Sequence, residues 1–514
     1  MRTVTADRVG PATTITGPTG TRPVWFLPAL AGLVALAVFW FARGTLIDDA
    51  YITLDYARNL AFHLHWGLIP EQTANTATSP LNVLVLGLVT AIVRQPVVAL
   101  GVVYVLSTVA VEWGVRRAGS TAGLPAWTGL VAACLVTVDP LLVASIGMEV
   151  ALGAGLIALL VAASVTGRPV WFGVFAGLLV LTRADLLIVV LVVFFVRAGW
   201  WRGWWRGLLA GVAVVLPWFV WSWVVLGSAV PDTLIIKTRQ RSWGPWSFGN
   251  GPVLYHGMYP AATVLSFVPA TLGVLAALVW LVVRVAYPAG RARSLDRFAA
   301  LPLAGGLHYL AYAEFGIAPY HWYYGTSIAC LALFLAAAVG AAWAPATAGV
   351  LPRWSGYAAV TVAAALLVVS AVNDSAAVRG GYAPLTTNWA SAAQYQRVGT
   401  DVGRLAGERT VRSSGEIGEV AYYCRCAMID PFSDRGRVIA MIRAVERHAG
   451  PVRQALLRGN FRFLDTRQRP TSTALVLEYV SRPPGDALAS WAVSSPWRFD
   501  GDTRYLALVP LHAR

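Results

Sequence analysis

Leu46-Ile47-Asp48-Asp49-Ala50-Tyr51 decides how this chain is read: two carboxylates stand side by side just after an apolar run, Val24 to Ala42, of membrane-crossing length. A charge at the edge of a hydrocarbon slab is costly and marks either chemistry or a pairing need. Which side of the membrane the pair faces, and what surrounds it, governs everything downstream.

Working outward, the composition places the chain in a bilayer. Of its 514 residues, 57% are hydrophobic and 13% charged, with a mean hydropathy of +0.61, outside the range of soluble domains. Apolar runs of about 17–22 residues recur through the first three-quarters, each long enough to span as a helix. Residues 1–22 are polar, with Arg2, Arg8 and Arg22, and no small-residue cleavage pattern follows the first run. They read as a cytoplasmic tail ahead of a retained helix. The net charge of +15 does not point to nucleic acid. Much of it sits in short loops between apolar runs, the pattern that sets membrane orientation. Cys134 and Cys330 lie inside apolar runs as small core residues, while Cys424 and Cys426 form a C-x-C pair open to metal or redox chemistry. Lys237 is the only lysine in an otherwise arginine-based chain.

With the amino terminus in the cytoplasm, the Asp48-Asp49 loop is external. Pro80–Val93 is short for a span and suits an interfacial helix. If it crossed, Arg116-Arg117 would fall outside and every later loop would invert. The fold expected is a mainly α, polytopic membrane protein with about eleven transmembrane helices in residues 23–372. An extracytoplasmic α/β domain follows in 373–514, large enough for its own core. In that tail Val420–Tyr423, Ala474–Val480 and Tyr505–Val509 read as strands, and Asn388–Leu405 and Arg437–His448 as helices.

This topology gathers the unusual polar residues on the external face: Asp48, Asp49, Tyr51, Asp55, Arg58, His63, His65, Glu149, Arg183, Asp185, Asp232, Lys237, Arg239, Glu314 and His321. The cytoplasmic loops hold little but arginine and tryptophan. The working face is therefore external.

Here the residues resemble a known group. Asp48-Asp49-Ala-Tyr-Ile-Thr-Leu-Asp-Tyr-Ala-Arg58-Asn59 and Thr78-Ser-Pro-Leu-Asn82 resemble the first external loop of GT-C superfamily membrane glycosyltransferases. Gly147-Met148-Glu149, Leu181-Thr-Arg183-Ala-Asp185 and Gly227-Ser-Ala-Val-Pro231-Asp232-Thr233 with Lys237 follow in order, Asp232 standing where asparagine is usual. Tyr320-His321-Trp322-Tyr323-Tyr324 is similar to the superfamily's aromatic loop. Gly415-Glu-Ile-Gly418 and Ile429-Asp430-Pro resemble the soluble domain of mycobacterial and corynebacterial terminal β-(1→2)-arabinofuranosyltransferases. The resemblance implies transfer of a sugar, D-arabinofuranose from decaprenyl-phosphate-arabinose, to a hydroxyl of a polysaccharide or glycolipid acceptor of the cell wall, such as arabinogalactan or lipoarabinomannan. The alternatives are a mannosyl- or other hexosyltransferase with a polyprenyl-phosphate donor, and a non-catalytic lipid-linked-sugar binder or transporter.

Such chemistry assigns roles. A hydroxyl is a poor nucleophile, so one of Asp48 and Asp49 would take its proton while the other orients the acceptor, or a divalent cation if one binds. The leaving phosphate needs positive charge, from Lys237 first and then Arg58 and Arg183. The competing reading of both arginines is snorkelling or local pairing. Tyr51, Glu149, Asp185, Asp232, His321, Trp322, Tyr323 and Tyr324 are the candidates for sugar and acceptor binding. Aromatic residues at a membrane interface also serve as anchors.

Overall fold

The structure is a computed structural model that describes residues 25–196, 203–237, 242–287, 291–343, 354–413, 415–497 and 504–511. The expected cytoplasmic tail, 1–22, and Arg239 lie outside the described residues.

Helix α1 (Phe26–Ala42) ends just before the acidic pair, which opens α2 (Asp48–His63). Helix α3 (Pro80–Val93) lies along α2, with Gly87 seated on Leu60 and Ala57 and Arg94 stacked over Phe62. Gln95 caps α4 (Pro96–Thr121), its side chain accepting from the Val97 N–H. The first turns of α4 are level with the acidic pair: Gly101 packs on Phe39 near the end of α1, and Leu100 lies beside Gly147, which itself touches Ala50. The other end of α4 is remote, with Arg116 beside Gly129. Helix α3 thus begins and ends near one face and does not carry the chain across.

The bundle continues as α5 (Thr128–Thr137), α6 (Pro140–Ala144), α7 (Val150–Val165), α8 (Pro169–Thr182), α9 (Leu187–Val196) and α10 (Trp204–Trp221, extended by a π turn to Leu226). It is completed by α11 (Thr233–Lys237), α12 (Gly251–Met258), α13 (Pro260–Ala286), α14 (Ala300–Phe315), α15 (Gly325–Trp343) and α16 (Trp354–Arg379). Among the described residues α4, α10, α13, α15 and α16 are long and apolar enough to cross a membrane. Helices α1, α3, α5, α7 and α8 and the segment Ala184–Val196 are apolar but shorter, at 10–17 residues. The protein is a multi-pass membrane protein.

Small residues let neighbouring helices approach closely: Gly114 of α4 meets Ala158 of α7, and Gly173 of α8 meets the Gly207 backbone of α10. Helix α15 is largely buried at the centre, whereas α10 exposes Leu208, Leu209, Val212 and Leu216 as a lipid-facing side. At the end of the bundle away from the acidic pair, Trp127, Trp343 and Tyr357 meet edge-on in an aromatic cluster typical of an interface.

The tail is built from α17 (Ala392–Ala406), β1 (Val411–Ser413), α18 (Gly418–Cys424), β2 (Met428–Ile429), α19 (Arg435–Arg447), α20 (Pro451–Asn460), β3 (Leu475–Val480), β4 (Ala489–Val493) and β5 (Arg504–Pro510). The sheet order is β2-β1-β3-β5-β4. The β1–β2 and β1–β3 pairs are parallel, and β3–β5 and β5–β4 antiparallel. Helix α17 opens on a reciprocal capping box between Ser391 and Gln394. One expectation is corrected: Val420–Tyr423 is not a strand but the body of α18. A short apolar run fits either period, and here an external carboxylate satisfies the helix's first N–H groups and settles the choice. Cys424 and Cys426 are joined as a disulfide, so in this state their sulfurs are bonded to each other.

Candidate active site

Between the loops at the acidic end of the bundle and the tail lies a cavity of about 850 Å³. The membrane domain contributes Asp48, Asp49, Thr78, Ser79, Glu149, Thr233, Lys237, Trp243, Tyr320 and Trp322 to its wall, and the tail contributes Trp389, Glu416, Asp430, Ser433, Tyr479, Trp497 and Arg504.

The first loop is fixed by its own motif residues. Asn59 donates to the carbonyls of Gly67 (2.9 Å) and Leu68 (2.8 Å), and Tyr56 reaches Ala74 O (3.0 Å) and the Thr76 hydroxyl (2.7 Å). Asn82 donates to Gly147 O at 3.3 Å, linking this loop to the turn that carries Glu149. The stretch thus folds back over α2 and presents Thr76 to Ser79 to the cavity.

Adjacent in sequence, Asp48 and Asp49 have different surroundings. Asp48 is 2% exposed and accepts three backbone N–H groups at the start of α18: Ile417 at 3.1 Å, Gly418 at 3.0 Å and Glu419 at 2.7 Å. Burial pushes its carboxyl up to about 7, helped by Asp49 and opposed by those N–H groups. Asp48 is thereby committed to the seam between membrane domain and tail. Asp49 lines the cavity and has no hydrogen-bond partner among the described residues. Burial raises its carboxyl to about 6; the Lys237 ammonium holds it down, while Glu149 and Asp430 push it up. A general base needs a free, nearby and suitably basic oxygen. Of the two, Asp49 is the one whose side-chain oxygens accept no hydrogen bond among the described residues.

Lys237 ends α11 and donates to the Tyr323 hydroxyl at 2.5 Å, with its Nζ 5.5 Å from the Tyr320 ring centre and 5.2 Å from that of Tyr323. The ammonium is therefore held on the cavity wall over aromatic faces. Its loop is clamped from below. Asp232 accepts from the Ser228 hydroxyl at 3.0 Å, its N–H donates to Asn75 O at 2.7 Å, and Asn75 in turn donates to Ser222 and Ser228. Arg435 of the tail stands 4.0 Å from the Asp232 carboxylate.

Several residues read as ligand-binding have their side chains engaged elsewhere in this geometry. Asp232 is 1% exposed and does not line the cavity; its hydrogen bonds anchor the loop. Arg58 pairs with Asp55 at 2.7 Å, donates to Tyr422 O at 2.8 Å and stacks on the Tyr422 ring, joining α2 to the tail away from the cavity. Arg183 is likewise spent: it binds Glu149 at 2.7 Å and Asp185 at 2.9 Å and donates to the Tyr312 hydroxyl. Asp185 is held by Arg183 and by His308 at 3.0 Å, and does not line the cavity. This network braces Glu149 at the wall. Tyr51 packs edge-on to Tyr422 at 5.1 Å. His321 is fully buried against Ala144 O, and the Tyr324 hydroxyl donates to Phe248 O at 2.6 Å; both are core. Tyr323 acts through Lys237, and Trp322 reaches the wall.

The tail's share was missed in the sequence. Glu416 Oε2 accepts from the Trp389 N–H (3.1 Å) and the Tyr479 hydroxyl (3.2 Å), and burial with Asp48 beside it holds this carboxyl well above the usual range. Asp430 Oδ1 accepts three hydrogen bonds from Phe432 and Ser433. The Arg504 guanidinium sits 4.2 Å from the Trp389 ring centre. Glu416 and Asp430 stand inside the two tail motifs that carried the resemblance, which was the available signal. A divalent cation does not fit this donor set. Asp48 and Asp430 have spent oxygens on N–H and O–H donors, and among the described residues no three His, Cys, Asp or Glu side chains cluster as ligands.

A helical membrane domain with the acidic pair at the start of its second helix, capped by a small α/β tail over a shared cavity, is a fold this chain shares with solved structures of low sequence identity. ArnT from Cupriavidus metallidurans bound to undecaprenyl phosphate matches with a TM-score of 0.55 at 13% identity, over 95% of this chain and 98% of that one. The Archaeoglobus fulgidus oligosaccharyltransferase in complex with zinc and sulfate matches with a TM-score of 0.54 at 13% identity, over 88% of this chain and 67% of that one. Mycobacterial arabinofuranosyltransferase AftD is more remote, with a TM-score of 0.47 over 35% of its length, and bears no weight here. No protein-family model and no curated protein matches the chain.

Proposed function

We propose that the cavity transfers a sugar from a polyprenyl phosphate to an acceptor hydroxyl, with Asp49 as the base. The observation that carries this reading is the Asp49 carboxylate, without a hydrogen-bond partner among the described residues, lining the same cavity as the Lys237 ammonium. The acceptor oxygen attacks the anomeric carbon and its proton passes to Asp49. The bond from that carbon to the phosphate oxygen breaks, and the electron pair leaves on the phosphate, whose charge Lys237 compensates. Glu149, Tyr320 and Trp322 on the same wall contact the sugar. One base and one displacement invert the anomeric centre; a retained product requires a second group on the opposite face of the sugar, so the product anomer counts the displacements.

A prenyl-phosphate donor is supported by the two fold neighbours: ArnT was solved with undecaprenyl phosphate, and the archaeal oligosaccharyltransferase AglB, with a TM-score of 0.52, with dolichol phosphate. D-Arabinofuranose from decaprenyl-phosphate-arabinose, with a cell-wall polysaccharide or glycolipid as acceptor, rests on the motifs in the loops and tail. An extracytoplasmic site is supported by charge and redox chemistry. Arg116, Arg117, Arg168, Arg284 and Arg297 stand at the opposite end of the bundle, and the tail holds the Cys424–Cys426 disulfide.

The test is an assay of the purified protein in lipid nanodiscs with prenyl-phosphate arabinofuranose, mannose and glucose. Transfer from the arabinose donor that disappears in Asp49→Asn is expected. Movement of labelled lipid without transfer of its sugar would overturn the reading.

A further inference from the structure

We propose that α20 is a membrane-seated arm of the tail, lying in the headgroup layer of the same leaflet and gripping anionic lipid. It has two apolar sides. Leu457, with Phe461 and Leu464 just beyond the helix, packs on the small cluster formed by Ile235 and Ile236 of α11 and Val438 and Ile442 of α19. On the other side Val452 and Leu456, one helical turn apart, are 77% and 69% exposed, and Phe463 is 48% exposed. Nothing among the described residues covers that second side.

Its position names the occupant. The α20 end is bolted to the end of span α10: Trp223 donates its indole N–H to Gly459 O at 2.9 Å, its ring meets Phe463 edge-on at 5.0 Å, and Asn460 accepts from the Val230 N–H at 2.9 Å. In α10 itself Val220, Val224 and Val225 face outward, 48–59% exposed, as lipid-facing surface. The exposed stripe of α20 therefore continues the lipid-facing surface at the level where hydrocarbon gives way to headgroups. Charge agrees. Arg453 and Arg462 flank the stripe and make no salt bridge among the described residues, while Arg458 pairs with Glu446. An apolar stripe bordered by arginines is the surface that lies in a bilayer interface and attracts lipid phosphate. The same cluster that seats α20 holds α11, whose last residue is Lys237.

The test uses the full chain in nanodiscs containing phosphatidylcholine with about 30% phosphatidylglycerol, a typical anionic fraction. A fluorophore is placed by Leu456→Cys or, on the flank of the same helix, by Arg458→Cys, with the labelled parent chain as background. Nitroxide lipids labelled near the headgroup should quench position 456 at least about threefold more than aqueous iodide does, with the order reversed at 458, as interfacial burial of one stripe requires. Arg453→Gln with Arg462→Gln should reduce the lipid quenching at 456. Iodide quenching at 456 equal to that at 458 would overturn the proposal by showing an open, hydrated face. Shielding from both quenchers would overturn it too, by showing that a second copy of the protein covers the stripe.

Discussion

The two walls of the cavity carry the same residue types in different states. On the membrane-domain wall Asp49 has no hydrogen-bond partner among the described residues, and Lys237 has a phenol hydroxyl and two ring faces. On the tail wall Glu416 and Asp430 are braced by N–H and O–H donors, and Arg504 lies against Trp389. Asp48 belongs chemically with the tail, since three tail amides hold it although it sits beside Asp49. The difference teaches that carboxylate count says little about a site. Free lone pairs decide which acid can take a proton, and the tail serves to close the cavity and hold its shape.

The comparison predicts a ranked series of losses. Asp49→Asn should lower kcat about 10³-fold, the usual scale for a positioned base, with the melting temperature unchanged. Lys237→Ala should lower kcat/KM about 10²-fold, as loss of one group stabilising developing charge does. It should also shift the pH profile. The base form of Asp49 is the carboxylate, so the rate rises with pH through about 6 and levels above it. Lys237 holds that carboxyl down, so the K237A profile should rise at higher pH. Asp48→Asn, by contrast, should act on the seam: replacing an acceptor of several charge-assisted bonds costs about 1.5–3 kcal/mol of stability per strong bond lost. Thermal unfolding and protease sensitivity of the tail would read it. Glu416→Gln should cost less than about tenfold in kcat, because its oxygen is already engaged and an amide can accept from the same donors. Smallest in its effect on transfer is Arg58→Ala, which should keep activity while costing about 3 kcal/mol in stability, since it leaves the fully buried Asp55 carboxylate without its cation. A large loss of kcat in R58A would return that residue to the site and blur the contrast between the walls.

Much of the site could be read from the sequence because membrane topology sorts loops by side. Asp49, Glu149, Lys237 and Trp322 sit in separate loops that topology alone brings to one face. What could not be read is which members of that set stay free. Arg58 follows Asp55 at helical spacing and Arg183 precedes Asp185 by two residues, so local neutralisation was visible in principle. The separation of Asp48 from Asp49 was not, because it depends on where a helix more than three hundred residues later presents its first N–H groups. Tyr479 and Arg504 were hidden for the same reason: pairing of β3 with β5 brings them together, and no spacing along the chain records it. The helical state of Val420–Tyr423 belongs here also, since the helix that contains it starts at N–H groups held by Asp48 on another element.

The most direct measurement is the turnover of Asp49→Asn and Asp48→Asn side by side, in nanodiscs, with saturating prenyl-phosphate arabinofuranose. Asp49→Asn should melt like the parent and transfer no sugar above about 0.1% of its rate, while Asp48→Asn should melt lower yet still turn over. Full transfer by Asp49→Asn, or an inert Asp48→Asn with unchanged melting, would contradict the assignment of proton acceptor and seam anchor made from this structure.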